Sequence, residues 1–118
     1  MRYVLLIASE ESIDAARSPA EEAELMQEYG VFSQEVDAAG AMRGGERLRP
    51  TDRATTVRVR DGEALITDGP FAETKEHLGG FYIVEAANLD EAVAWAAKIP
   101  SAKFGAVEVR PIWEMGEE

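Results

Sequence analysis

An α+β domain with an antiparallel sheet is the architecture this sequence predicts. Three observations predict it: two short runs apolar at odd and even positions alike, two helical stretches opened by capping signals, and a strand pair joined by Asp-Gly. The first run, Tyr3-Val4-Leu5-Leu6-Ile7-Ala8, reads as a strand covered on both faces and therefore central in its sheet. Ser18-Pro19-Ala20-Glu21 then supplies a helix start, with Ser at the N-cap, Pro at the first helical position and Glu closing a capping box. Leu25, Tyr29, Phe32 and Val36 follow at helical spacing and give that helix one apolar stripe; Gly40 is its expected stop. Gly30 lies inside the helix at a cost of about 1 kcal/mol relative to Ala.

Ala41 to Leu48 reads as a strand weakened by Gly44-Gly45. Thr55 to Arg60 alternates, Asp61-Gly62 is a hairpin turn, and Glu63 to Thr67 returns. Gly79-Gly80 precedes the second two-faced run, Phe81-Tyr82-Ile83-Val84. Asn88 caps a helix carrying Leu89, Ala92, Val93 and Ala96 on one side, and Pro100 ends it. Val107 and Val109 alternate with Glu108 and Arg110 in a last strand.

The order strand, helix, strand, hairpin, strand, helix, strand is a ferredoxin-like plait with an added hairpin, and it predicts one domain over residues 1–118. The strand before each helix is central in such a plait, and these are the two runs apolar on both faces. Two helices cover only one face of the sheet. The other face predicts a second copy of the chain packed sheet against sheet, an obligate homodimer closing a barrel-like core.

Composition narrows the chemistry. Of 118 residues, 23 are acidic and 12 basic, a formal net charge of −11. With no Cys there is no disulfide or thiolate chemistry, and one His rules out a multi-histidine metal centre within one chain, so no metal or organic cofactor is expected. The negative balance disfavours nucleic acid and anionic membrane as partners. The longest apolar run is too short for a bilayer span and no signal-peptide layout precedes it, so a cytoplasmic protein is expected. The charge is unevenly distributed. Glu10 to Asp37 holds nine acids against Arg17, whereas Ala38 to Arg60 carries Arg43, Arg47, Arg49, Arg53, Arg58 and Arg60 against Glu46 and Asp52.

The most distinctive segment runs from Thr67 to Phe81. Asp68-Gly69-Pro70-Phe71 resembles the signature of the DGPF-type proteins of the YCII-related family. The likeness continues through Glu73-Thr74-Lys75-Glu76 and Leu78-Gly79-Gly80-Phe81, upstream to Gly44-Gly45-Glu46-Arg47-Leu48 with Pro50, and downstream to Glu108-Val109-Arg110-Pro111. The resemblance implies a dimeric α+β barrel and, by family analogy only, a link to sigma factors of the extracytoplasmic-function type. Shorter YCII relatives carry a His after an Arg-Pro pair at the start of the first helix, proposed to form a dyad with an Asp. Here Arg17-Ser18-Pro19-Ala20-Glu21 has an acid at that position, so the dyad is not carried over.

Asp68 before Gly-Pro has two readings: a turn-former binding following N–H groups, or a carboxylate held at a cleft mouth as acid or base. Glu73, Lys75 and His77, if extended, share one side of their segment and would add an acid, a cation and a titrating imidazole. Arg58 and Arg60 share a strand face, and Arg47 and Arg49 also lie two apart; their planar forks suit a carboxylate or phosphate, or else neutralise the chain's own acids. Two functions follow. One is a cofactor-independent enzyme doing acid/base chemistry on a small anionic substrate, with Asp68 and His77 catalytic and Arg47, Arg58, Arg60, Lys75 and Glu73 binding. The other is a non-catalytic ligand-binding or regulatory module.

Overall fold

The computed structural model describes residues 1–116. In chain order the elements are β1 (Arg2–Ser9), α1 (Glu11–Ala15), α2 (Pro19–Ala38), β2 (Met42–Arg47), β3 (Thr55–Arg60), β4 (Glu63–Asp68), β5 (His77–Glu85), α3 (Leu89–Ala97) and β6 (Ala106–Pro111). Single 3-10 turns stand at Thr51–Arg53 and Pro100–Lys103. The main sheet has the order β2-β5-β1-β6, and each of its neighbouring pairs is antiparallel. This is the strand order of a ferredoxin-like plait, with the two-faced strands β1 and β5 at its centre.

The local signals act as read. Ser18 accepts from the Glu21 N–H at 3.1 Å while the Glu21 carboxylate accepts from the Ser18 N–H at 3.0 Å, a complete capping box. The carboxylate is held below its ordinary range chiefly by that backbone hydrogen bond. Gly30 does not interrupt α2, and Gly40 follows it with φ +69°. Asp61 and Gly62 take φ 51° and 80°, the paired positive angles of a tight hairpin turn. Asn88 accepts from the Glu91 N–H at 2.9 Å and starts α3.

Along β1 the odd residues Tyr3, Leu5, Ile7 and Ser9 are buried, and they face the helices. Leu5 and Val84 from the sheet meet Val36 of α2 and Ile99 after α3, and all four are essentially inaccessible. Full burial of each such side chain contributes about 1.5–3 kcal/mol. The even residues Val4 and Leu6 pair with Ile83 and Phe81 on the opposite face, where no helix lies. Helices on one face only is what the plait reading required.

Two features go beyond the sequence reading. The polar stretch after β1 contains a short helix, α1, fastened by the Glu11 carboxylate, which accepts from the Thr51 N–H at 3.2 Å and from the Thr51 hydroxyl. The added hairpin β3–β4 forms a two-stranded sheet of its own. Its residues Val57, Val59 and Ile66 are 59%, 62% and 69% exposed, so it projects as an arm. The radius of gyration, 16.3 Å, exceeds the roughly 13–14 Å of a compact chain this long.

The approach of β6 to β1 depends on Gly105, where a Cβ would collide with the Ala8 carbonyl oxygen. Backbone cannot yield as a flexible side chain can. Gly105→Ala is therefore expected to cost at least roughly 1–3 kcal/mol in urea unfolding. An unchanged midpoint would contradict this packing.

Candidate functional site

The end of β1 and the first half of α2 do not close on each other. Gly45 of β2 and Gly79 and Gly80 of β5 present no side chains beneath Leu25, Met26 and Tyr29 of α2, and a cleft of about 330 Å³ remains. Two of the glycines are fixed by the pairing itself: a Cβ on Gly80 would lie 2.8 Å from the Glu46 carbonyl oxygen, and one on Gly45 would lie 2.7 Å from the Tyr82 ring. The volume is at the small end of the ~300–1,000 Å³ range of ligand sites.

Its walls are apolar, from Ile7, Leu25, Met26 and Tyr82, but two polar pairs converge on it. Ser9, in phase with the buried positions of β1 and 8% exposed, donates its hydroxyl to Asp14 Oδ2 at 2.9 Å. Asp14 Oδ1 accepts from Arg17 Nη2 at 2.7 Å, and the Arg17 guanidinium lies 4.8 Å from the Phe104 ring centroid. The second pair is Tyr29 and Ser101, whose hydroxyl oxygens are 2.6 Å apart. At the mouth, Glu22 joins two cations: one oxygen meets Arg17 at 3.5 Å and the other meets Arg47 at 3.2 Å. Asp14, Arg17, Glu22 and Arg47 thus form a rim of alternating sign.

The sequence-selected residues fall in three places. Arg47 lines the cleft. His77 opens β5 directly opposite Ser9; a register shift at Gly79 restores the phase, so His77 and Ser9 share the helix-covered face beside the cleft's polar end. Asp68 ends β4 on the arm, paired with Thr55, and Arg58 and Arg60 lie on the other side of the same hairpin, away from the main sheet. The arm and its loop are fastened by backbone and ring contacts. Gly69, with φ +104°, donates its N–H to Ala54 and accepts from the Thr56 hydroxyl, and Arg58 lies over Phe71 at 5.8 Å. Among the described residues no hydrogen bond reaches the Asp68 carboxylate. Glu73 and Lys75 are in irregular chain, not a strand, and Lys75 Nζ meets Glu10 at 3.3 Å. The structure therefore brings Arg47 to the cleft, sets His77 opposite the cleft residue Ser9, and leaves Asp68, Arg58 and Arg60 on the arm.

Asp14, Tyr29 and Ser101 were not read as site residues from the sequence. Ser9 did carry a signal: it is the polar residue in phase with Tyr3, Leu5 and Ile7.

A small antiparallel α+β plait, helices on one face and a cleft between its central strands and its long helix, is the class of protein that fold and site define. The chain belongs to the YCII-related family, whose domain model matches residues 1–116. It is also 40% identical over 114 residues to an uncharacterized protein of Rhizobium meliloti (strain 1021), a match covering 95% of this chain and 92% of that protein.

Burial raises the Tyr29 phenol above the ordinary tyrosine value of 10.0, although its hydrogen bond to Ser101 opposes the shift. The folded state thus holds this proton more tightly than the unfolded state. The contribution is intact below pH 10 and declines as pH rises through the folded pKa. Tyr29→Phe is expected to flatten the alkaline fall in melting temperature above pH 10. At neutral pH it should cost about 1–3 kcal/mol, because Ser101 is left buried without its partner. An unaltered alkaline limb in the variant would contradict the burial of Tyr29.

Proposed function

We propose that this chain binds a small molecule in the cleft under α2, and that Asp14, with His77 across the strand pair from its partner Ser9, is the group that exchanges a proton with it. The observation carrying the reading is the convergence of two buried hydroxyls, Ser9 and Ser101, and the Asp14 carboxylate on a cleft walled by Ile7, Leu25, Met26 and Tyr82. Each hydroxyl is already fixed by one hydrogen bond, to Asp14 or Tyr29, and keeps capacity for another, so together they offer oriented polar contacts to a ligand. Arg17 and Ser9 hold Asp14 in one orientation while a carboxylate keeps further acceptor positions open. The acid/base role proposed here therefore falls to Asp14, with no cofactor invoked.

The test is a thermal-shift series with phenol, benzyl alcohol and indole on the native protein, Met26→Trp and Asp68→Asn. A fragment at a hundred times its Kd stabilises by about 2.7 kcal/mol, a rise of several degrees. The rise is expected in the native protein and in Asp68→Asn, and it should vanish in Met26→Trp, where the indole fills the cleft. No rise with any fragment contradicts the reading, and loss of the rise in Asp68→Asn moves the site to the arm. A second reading, acid/base chemistry at Asp68 with Glu73, Lys75, Arg58 and Arg60 binding, is favoured by one observation, the absence of a hydrogen bond on the Asp68 carboxylate among the described residues.

The working unit we propose is a homodimer formed through the open face of the main sheet, where Val4, Leu6, Phe81 and Ile83 lie. Light scattering at low micromolar concentration should give twice the chain mass of 12.9 kDa. A stable monomer there would remove the dimer.

A further inference from the structure

The geometry points to the chemical class of the cleft's ligand: a small carboxylic acid with an apolar body and a hydroxyl or carbonyl at its far end, its carboxylate bound by Arg47. This rests on the cleft being a ligand site. Arg47 ends β2 in register with Gly80, which places its side chain on the helix-covered face at the cleft mouth. Its Nη2 donates to Glu22 at 3.2 Å and its Nη1 reaches the Met26 sulfur at 3.8 Å. A guanidinium carries five N–H donors in a planar fork, so a one-point ion pair and a sulfur contact leave an edge open to a two-point carboxylate.

The competing cation is already engaged. Arg17 is held by Asp14 and packed against Phe104, and its side chain is 13% exposed against 72% for Arg47. Glu22 divides its charge between both arginines, so Arg47 faces only part of a counter-ion. Asp14, by contrast, already meets both a hydroxyl and a guanidinium, which leaves little unbalanced negative charge for an amine. Behind Arg47 the apolar body meets Ile7, Leu25, Met26 and Tyr82. At the inner end the Tyr29 and Ser101 hydroxyls offer both a donor and an acceptor.

The experiment is calorimetric titration with 4-hydroxybenzoate and its neutral isostere 4-hydroxybenzamide, on the native protein, Arg47→Gln, Arg47→Lys and Met26→Trp, with circular dichroism confirming that each variant is folded. The acid should bind the native protein about ten-fold more tightly than the amide, lose about ten-fold in Arg47→Gln, regain part of that in Arg47→Lys, and fail to bind Met26→Trp. Equal binding of acid and amide, or of acid to the native protein and Arg47→Gln, overturns the carboxylate class and leaves the cleft standing. Absence of acid binding where phenol still stabilises the protein does the same. Acid binding unaffected by Met26→Trp overturns both the class and the cleft.

Discussion

Everything at the candidate site depends on the close approach of backbone to backbone at one end of the β2–β5–β1 sheet. Gly45 and Gly80 allow the strands to pair where a Cβ would meet a carbonyl oxygen or the Tyr82 ring, and Gly79 beside them adds no side chain. Because they bring no side chains, α2 lies over a floor with nothing to interdigitate with Leu25, Met26 and Tyr29, and the gap persists as a cleft. The same glycine segment carries the register shift opposite Ile7 and Ala8. That shift turns Leu78 to the open face and returns His77 to the side of Ser9.

Charge is organised around this opening rather than spread over the surface. The net −11 belongs largely to helix faces, where Glu28 pairs with Lys103 and Glu35 with Lys98. At the cleft the signs alternate, Asp14 to Arg17 to Glu22 to Arg47, so the rim is neutral in sum while offering local fields of both signs. Exposed pairs such as Arg47–Glu22 add at most about 1 kcal/mol to folding. Their value lies in orientation: a partly engaged guanidinium is held at the mouth at little cost to stability.

How much of this was legible in the sequence follows from the range of the interactions. The Ser18–Glu21 box, the Asn88 cap and the Asp61-Gly62 turn each involve residues within three of one another, and the sequence shows them directly. The two-faced patterns of Tyr3–Ala8 and Phe81–Val84 placed both strands at the sheet centre for the same reason. The site was harder. Tyr29 and Ser101 are 72 positions apart and meet only because α2 and the turn after α3 pack on the same sheet face. Asp68 drew notice because Asp-Gly-Pro-Phe is a contiguous motif, whereas Asp14 stands in a short helix, α1, with no clear apolar period. Its tie to Arg17 three residues on was visible as spacing but not as a site. Arg47 and His77 were selected for their chemistry, and pairing with Gly80 and Ser9 placed them beside the cleft.

The central claim is that the cleft left by these glycines is where a ligand sits. Amide chemical shifts recorded while phenol is titrated into the isotope-labelled protein test it most directly. The largest changes are expected on Gly45, Gly79, Gly80 and Ser101, with the hairpin from Thr55 to Asp68 unaffected. Changes concentrated on that hairpin, or none at millimolar phenol, would contradict it.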